Sequence, residues 1–357
     1  MEKLSVGILG ATGAVGQQFV RFLANHPWFQ ITALAASERS AGKPYGEAVN
    51  WLLDTPLPAE VARMEVRRAE PPLPCDFVFS GLDSRVAGEV ERAFAEAGYP
   101  VISNARNYRM EPTVPLLIPE VNPSHVSLIQ RQTWWKHGGY IVTNPNCSTI
   151  GLVIALKPLQ DAFGVKQVQV TTLQALSGAG YPGVPALDIL GNVIPYIGGE
   201  EEKLATEPRK ILGTLEGDEL VWADLTISAH CNRVPVIDGH LECVSVELAR
   251  KASPEEVIEA LRGYVNPVAH LPSSPTPLIH VFEEDAYPQP RRHVGLGGGM
   301  TVSVGRVRAC EVLDIKCVVL SHNTIRGAAG GAIVNAELLY KEGWLRPRPV
   351  YHERLQA

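Results

Sequence analysis

Three glycines in seven residues, Gly10-Ala-Thr-Gly13-Ala-Val-Gly16, stand between an apolar run at 4–9 (LSVGIL) and a helix-like stretch at 17–25. A second apolar run follows at 31–36. Strand, glycine loop, helix and strand in that order make a βαβ unit, which implies a parallel sheet covered by helices. Without side chains, the glycines let the backbone approach a pyrophosphate. The helix N-terminus behind them offers free N–H groups and a partial positive charge. Gly10, Thr12, Gly13, Ala14, Val15 and Gly16 are therefore expected to form a dinucleotide-binding loop.

The same rhythm continues with strand-like runs at 77–80 and 100–102 and a helix over roughly 84–97 between them. This extends the pattern to a Rossmann-type, doubly wound α/β sheet. The segment 53–75, rich in proline and charge, reads as an excursion. From about residue 165 the pattern changes to β-branched, strand-like runs at 167–173, 240–248, 278–282, 300–308 and 315–320, separated by long connections. These suit a mixed or antiparallel sheet in a second, α+β domain. An Ala-rich stretch at 324–341 reads as a helix stopped at Gly343. At 357 residues the chain is too long for one ordinary core. The expected division is 1–145, joined by the C-terminal helix 323–345, and 146–322.

The loop after the second strand, Ser37-Glu38-Arg39-Ser40-Ala-Gly42-Lys43, bears on which dinucleotide is bound. Ser37, Arg39 and Ser40 suit a ribose 2′-phosphate and hence NADP (NADPH). Glu38 stands near the position where an NAD site places its acid, so the NAD reading also stands at this point. The formal charge of −6 argues against nucleic acid, and no apolar run reaches the length of a membrane span. The N-terminus passes directly into a strand pattern, leaving no room for a secretory signal. The six cysteines show neither a C-x-x-C pair nor metal spacing, so no metal site is expected. Cys75, Cys243, Cys310 and Cys317 read as buried, reduced thiols, and the protein as cytoplasmic.

One cysteine differs in its setting. In Asn144-Pro-Asn146-Cys147-Ser148-Thr149 a proline and several cap-forming residues precede the apolar run 150–156. Cys147 should therefore open a buried helix. The electropositive helix end favours a thiolate, and its N–H groups suit the oxyanion of a tetrahedral intermediate. Histidine is the natural proton partner. Of the ten histidines, His240 follows an Asp238-Gly239 turn at the head of a strand, seven residues beyond Arg233.

The motifs GATGAVG, SNARNYRM, NPNCST, LQALSGAGYPG, GGEEEK and CNRVPVIDGH, in that order, resemble the aspartate-semialdehyde dehydrogenases, in particular their archaeal and fungal-like branch. The resemblance runs from about residue 3 to 344 and leaves 345–357 outside it. It implies NADPH-dependent reduction of aspartyl 4-phosphate through a Cys147 thioester, with His240 as acid–base catalyst. Asn146 and Gln174 match residues that position the thiol and the intermediate. Arg233 matches the grip on the substrate α-carboxylate, and Glu200 the partner of its α-ammonium. Lys203 and Arg109 match the phosphate-binding cations. Ser177, Gly178 and Asn323 match positions near the cofactor. A homodimer or homotetramer is also implied.

Several alternatives remain open on the sequence. Glu201 or Glu207 could replace Glu200, Lys210 could replace Lys203, and Arg106 competes with Arg109. Surface ion pairs would also explain the Glu200-Glu-Glu-Lys203 segment. A malonyl- or succinyl-CoA reductase would share the cysteine, histidine and cofactor loop, but its substrate carries no ammonium. An N-acetylglutamyl-phosphate reductase faces the same objection. A non-catalytic dinucleotide sensor would not be expected to keep the cysteine and histidine.

Overall fold

The run Leu4–Leu9 forms strand β1, and nearly all its side chains are buried, as in a strand covered on both faces. In the computed structural model, which describes residues 3–348, five more strands join it in parallel. They are β2 (Phe29–Ala36), β3 (Val66–Arg68), β4 (Phe77–Ser80), β5 (Pro100–Ser103) and β6 (Tyr140–Thr143). Their order is β3-β2-β1-β4-β5-β6, so the winding direction reverses between β1 and β4. Ligands of such sheets bind where the order reverses, outside the carboxyl ends of the strands. Helix α1 (Ala14–Leu23) links β1 to β2, and α2 (Ser84–Glu96) links β4 to β5. The latter is capped by Asp83, whose side chain accepts from the Arg85 N–H.

The chain divides into two compact units, the first comprising Met1–Leu117, Ser124–Asn144 and Ala329–Ala357. Its aromatic core stacks Phe19 on Phe79 at 4.5 Å. His26 meets Glu337 of the helix Gly330–Lys341 at 2.8 Å, with both side chains buried. The segment 53–75 is not wholly an excursion, because it supplies β3, which pairs in parallel with β2. With three residues, two of them exposed arginines, β3 is too short and too charged to show alternation. Strand β6 was not anticipated either; four buried residues carry no periodicity. Of the tail outside the resemblance, 349–357 lies beyond the described residues.

The second unit, Ile118–Pro123 and Pro145–Ala328, is built on a mixed sheet. Its strands are β7 (Val165–Gln174), β10 (Thr226–Arg233), β11 (His240–Leu248), β12 (Ile279–Val281), β13 (Val302–Ala309) and β14 (Ile315–Ser321). A separate hairpin joins β8 (Thr214–Glu216) to β9 (Glu219–Val221). The sheet order is β10-β7-β11-β14-β13-β12, with β10 parallel to β7, β12 parallel to β13, and the central pairs antiparallel. Strand β10 escaped the sequence reading because TISAHCNR mixes small, polar and apolar residues.

Alternation along β11 buries His240, Glu242, Val244 and Val246 and turns the intervening residues outward. On the same face β7 buries Val168, Val170, Thr172 and Gln174. Helix α3 (Cys147–Phe163) packs on this face; a Cβ at its Gly151 would meet Ser321 Oγ at 2.5 Å. The outward alternation also corrects two cysteines. Cys243 is exposed and Cys310, just past the end of β13, is only partly covered, whereas Cys75 and Cys317 are buried. All six thiols are free. The stretch expected to be helical from residue 324 opens as a π-helix over Ile325–Ala329 before the α-helix Gly330–Lys341 begins. Gly343 then takes a left-handed φ of 79° just beyond that helix.

Candidate active site

Pro145 cannot continue a helix, and Asn146 can cap one, so α3 starts at Cys147. The Asn146 Oδ1 accepts from the N–H of Ser148 at 3.0 Å and of Thr149 at 3.4 Å. Its own N–H donates to Glu207 Oε2 at 2.7 Å. The cap is thus fixed from both sides, and Cys147 stands half-buried on the first helical residue.

His240 Nε2 lies 3.2 Å from Cys147 Sγ. The left-handed φ of 99° at Gly239 turns the chain into β11 just before His240. The other ring nitrogen, Nδ1, accepts the N–H of Ala175 at 3.1 Å. A backbone N–H can only donate, so Nδ1 carries the lone pair, and the neutral ring holds its proton on Nε2, facing the sulfur. Burial, with Arg233 and His322 nearby, pushes the His240 pKa down to about 3. The ring is therefore neutral at physiological pH.

Around this pair the buried polar groups are densely connected. Glu200, the first residue of helix α4 (Glu200–Ile211), accepts from Asn146 Nδ2 at 2.9 and 3.1 Å and from Gln174 Nε2 at 3.2 Å. Lys203, one turn on, approaches it at 2.6 Å. Burial pushes the Glu200 carboxyl up, but the Lys203 charge and these hydrogen bonds outweigh it and hold the pKa below the ordinary value. Gln174 Nε2 also donates to Ser148 Oγ at 2.6 Å. Arg233, at the end of β10, is buried and donates to the Ala175 carbonyl at 2.5 Å. A Cβ at Gly178 would lie 3.1 Å from Arg233 Nη1 and 3.2 Å from His240 Nε2, so a side chain there would have to push one of them aside by a few tenths of an ångström.

The second unit thus gathers Cys147, His240, Asn146, Gln174, Glu200, Lys203 and Arg233. The neighbouring acids are engaged elsewhere: Glu201 accepts from the Cys231 N–H at 3.2 Å, and Glu207 from that of Asn146. Asn323 Oδ1 accepts from the Gly239 N–H at 2.9 Å, and its Nδ2 donates to Ser177 Oγ at 2.8 Å. Ser148, Gly327 and the Ala175 N–H were missed in the sequence, and Glu207, weighed there only as a substitute for Glu200, instead holds the Asn146 N–H. Their partners are remote along the chain, and no local pattern marks them.

In the first unit, Gly10 has a φ of +75° and a Cβ there would meet the Gly81 carbonyl at 2.8 Å. A Cβ at Gly16 would lie 2.3 Å from the Gly10 carbonyl. Thr12 sits within this turn, followed by Gly13, the N-cap of α1, with no side-chain cap; Ala14 and Val15 open the helix. Beyond β2, Ser37 and Arg39 are exposed and Ser40 partly so. Glu38 pairs with Arg68 of β3 at 3.6 Å. Arg109 is buried and donates to the Asn104 carbonyl at 2.7 Å, whereas Arg106 is exposed.

Two family models match this chain: the NAD-binding domain of semialdehyde dehydrogenases over residues 5–129 and their dimerisation domain over 156–326. An aspartate-semialdehyde dehydrogenase of Archaeoglobus fulgidus is 52% identical over 344 residues, covering 95% of this chain and 99% of that protein. The Schizosaccharomyces pombe enzyme of the same name is 51% identical over 352 residues, covering 95% and 98%. The crystal structure of the Candida albicans enzyme with NADP superposes with a TM-score of 0.89 at 46% identity, over 95% of this chain and 99% of that one. The Vibrio cholerae aspartate semialdehyde dehydrogenase II complexed with ASA gives a TM-score of 0.76 at 29% identity, over 96% and 99%. Likeness of this extent, over both units and at half-identical sequence, leaves one assignment: the chain belongs to the aspartate-semialdehyde dehydrogenase family.

Proposed function

We propose that the protein reduces L-4-aspartyl phosphate to L-aspartate 4-semialdehyde with release of phosphate, reversibly and with NADPH, in the biosynthesis of lysine, threonine, methionine and isoleucine. The observation that carries this reading is the Cys147 thiol at a helix start, 3.2 Å from the Nε2 of a neutral histidine. Once the thiol has released its proton to water, the thiolate, held by the His240 Nε2–H, attacks the acyl carbon; an S–C bond forms and phosphate departs with the electrons of the broken C–O bond. The result is a thioester on Cys147.

His240 holds its proton at Nε2, where it can be shared with the sulfur and then with the carbonyl oxygen as charge develops there. That is the form in which its acid–base role begins. The N–H groups of Ser148 and Thr149 in the first turn of α3 are taken up by Asn146 Oδ1, so the His240 N–H is the donor we assign to the oxyanion. Arg233 suits the planar α-carboxylate through two parallel bonds, and Glu200 offers a charge to the α-ammonium. Lys203 and Arg109 are the cations we assign to phosphate.

The residues of the first unit fit a dinucleotide. The close backbone contacts at Gly10 and Gly16 tolerate no side chain, and α1 begins without a side-chain cap. Arg39, with Ser37 and Ser40, suits a 2′-phosphate, and Arg68 draws on the charge of Glu38. When bound, NADPH supplies the hydride that reduces the thioester. We assign dinucleotide binding to residues 1–145 with 323–345, and catalysis and self-association to 146–322. The dimerisation-domain match supports a homodimer or homotetramer, and the absence of a membrane-crossing helix among the described residues is compatible with a cytoplasmic enzyme.

The test is NADPH oxidation with aspartyl phosphate, malonyl-CoA and succinyl-CoA side by side, together with the phosphate-dependent reverse reaction on the semialdehyde. Turnover of the aspartyl substrate well above both thioesters is expected. Faster turnover of malonyl-CoA would overturn the substrate assignment.

A further inference from the structure

Arg326 and Glu120 form a two-pronged ion pair inside the second unit, with Nη1–Oε1 and Nη2–Oε2 both at 2.7 Å. Their side chains are 1% and 0% exposed. A pair so deeply buried is weak evidence for stability, since apolar residues of equal volume often serve as well or better. What a bidentate fork adds is geometric definition, because it fixes both the position and the orientation of the guanidinium.

Both ends of the pair are attached to defined backbone. Glu120 lies in a tight turn in which the N–H groups of Val121 and Asn122 donate to the Ile118 carbonyl at 2.8 and 3.0 Å. Tyr264 Oη donates to the Glu120 carbonyl at 2.7 Å. Arg326 lies in the π-helix Ile325–Ala329, where the Gly327 N–H donates to the His322 carbonyl at 2.9 Å, five residues back. Such turns are rare and concentrate at functional sites.

Gly327, the residue after Arg326, abuts the nucleophile. A Cβ there would lie 2.8 Å from Cys147 Cβ, 2.9 Å from its Cα and 3.1 Å from its carbonyl oxygen. Three residues before Arg326, Asn323 accepts the N–H of Gly239, which precedes His240. One short segment therefore touches the backbone at or beside both members of the catalytic pair.

We propose that the buried Glu120–Arg326 pair is a positioning device for catalysis, locking the π-helical turn whose Gly327 backbone seats Cys147 at its reacting distance from His240. The proposal rests on Cys147 being the nucleophile.

The experiment compares Gly327→Ala, Arg326→Lys and the neutral double variant Glu120→Gln/Arg326→Met in the full chain. It measures kcat, KM, thermal midpoint and the rate of Cys147 alkylation by iodoacetamide. Gly327→Ala should lower kcat about 10²-fold, the order expected for a misplacement near 1 Å. KM values should stay within about 3-fold, because the lost interaction belongs to the reacting geometry. The alkylation rate should change with kcat. The double variant leaves no buried charge, so it should melt near the parent yet lose about 10-fold or more in kcat. Arg326→Lys should fall between it and the parent. If Gly327→Ala does not accumulate as folded protein, the double variant decides the question. A folded double variant with parental kcat and alkylation overturns the proposal. So does a kcat loss without a change in alkylation, which would mean a merely structural role. Failure of the underlying reading has a different signature, full activity in Cys147→Ser.

Discussion

Cys147 and Cys231 illustrate how position decides what a thiol can do. Cys147 is half-buried at a helix start beside a histidine N–H, whereas Cys231 is buried in β10 and its pKa is pushed up to about 11 by burial. Cys147→Ser should lower kcat by at least ~10³, since serine there lacks a strong base. Cys231→Ser should be nearly silent, and equal losses at both positions would sink the assignment. Glu200 is tested against its ligand. Glu200→Gln should abolish most activity on the semialdehyde, because a buried ammonium would lose its counter-charge at a cost of about several kcal/mol. A substrate analogue without the amino group should react poorly with the parent and suffer little further from the substitution. Additive losses would show that Glu200 does not meet the ammonium. At this scale Cys147 was readable because caps and prolines act locally. The Ala175 N–H that sets the His240 tautomer was not, since it lies 65 residues away in sequence.

The loop after β2 is the element to which we assign the choice of coenzyme. Ser37 and Arg39 are exposed and Ser40 partly so, and the loop's one acid, Glu38, is drawn toward Arg68 of the adjacent strand. Arg39→Ala should weaken NADPH binding much more than NADH binding, measured as the ratio of kcat/KM values. A change in preference below ~3-fold would mean that Arg39 does not read the 2′-phosphate. The sequence marked this loop because a βαβ unit places it at the carboxyl edge of the sheet. It did not mark Arg68, which reaches that edge only because β3 pairs with β2. Strand β10 is a similar case. Its pairing with β7 sets Arg233 beside Gln174, but its residues alternate too weakly to announce a strand.

Over the whole molecule, two buried groups on one face of β11 give stability an unusual pH dependence. The His240 pKa, near 6.5 in an unfolded chain, is about 3 in the fold. Between those values the unfolded state binds a proton that the native state refuses, so stability is lost as pH falls through that window. Burial pushes the Glu242 carboxyl well above 4.5, and neither of its oxygens has a hydrogen-bond partner among the described residues. Here the native state keeps a proton that the unfolded chain releases, so stability is lost as pH rises above 4.5. Glu242→Gln should therefore raise the thermal midpoint relative to the parent more at pH 8 than at pH 4.5, read by calorimetry. A constant difference would mean that Glu242 titrates alike in both states. Local sequence was enough for the parallel sheet, the glycine loop, the change to a mixed sheet and the capped helix beginning at Cys147. Each of these rests on periodicity, backbone freedom or capping within a few residues. Tertiary structure decided which acid turns to Asn146 and Gln174, which tautomer His240 holds, and what presses on Cys147 from behind. Those follow from strand register and side-chain burial, which bring together residues from 26 to 206 positions apart and leave no mark in local sequence.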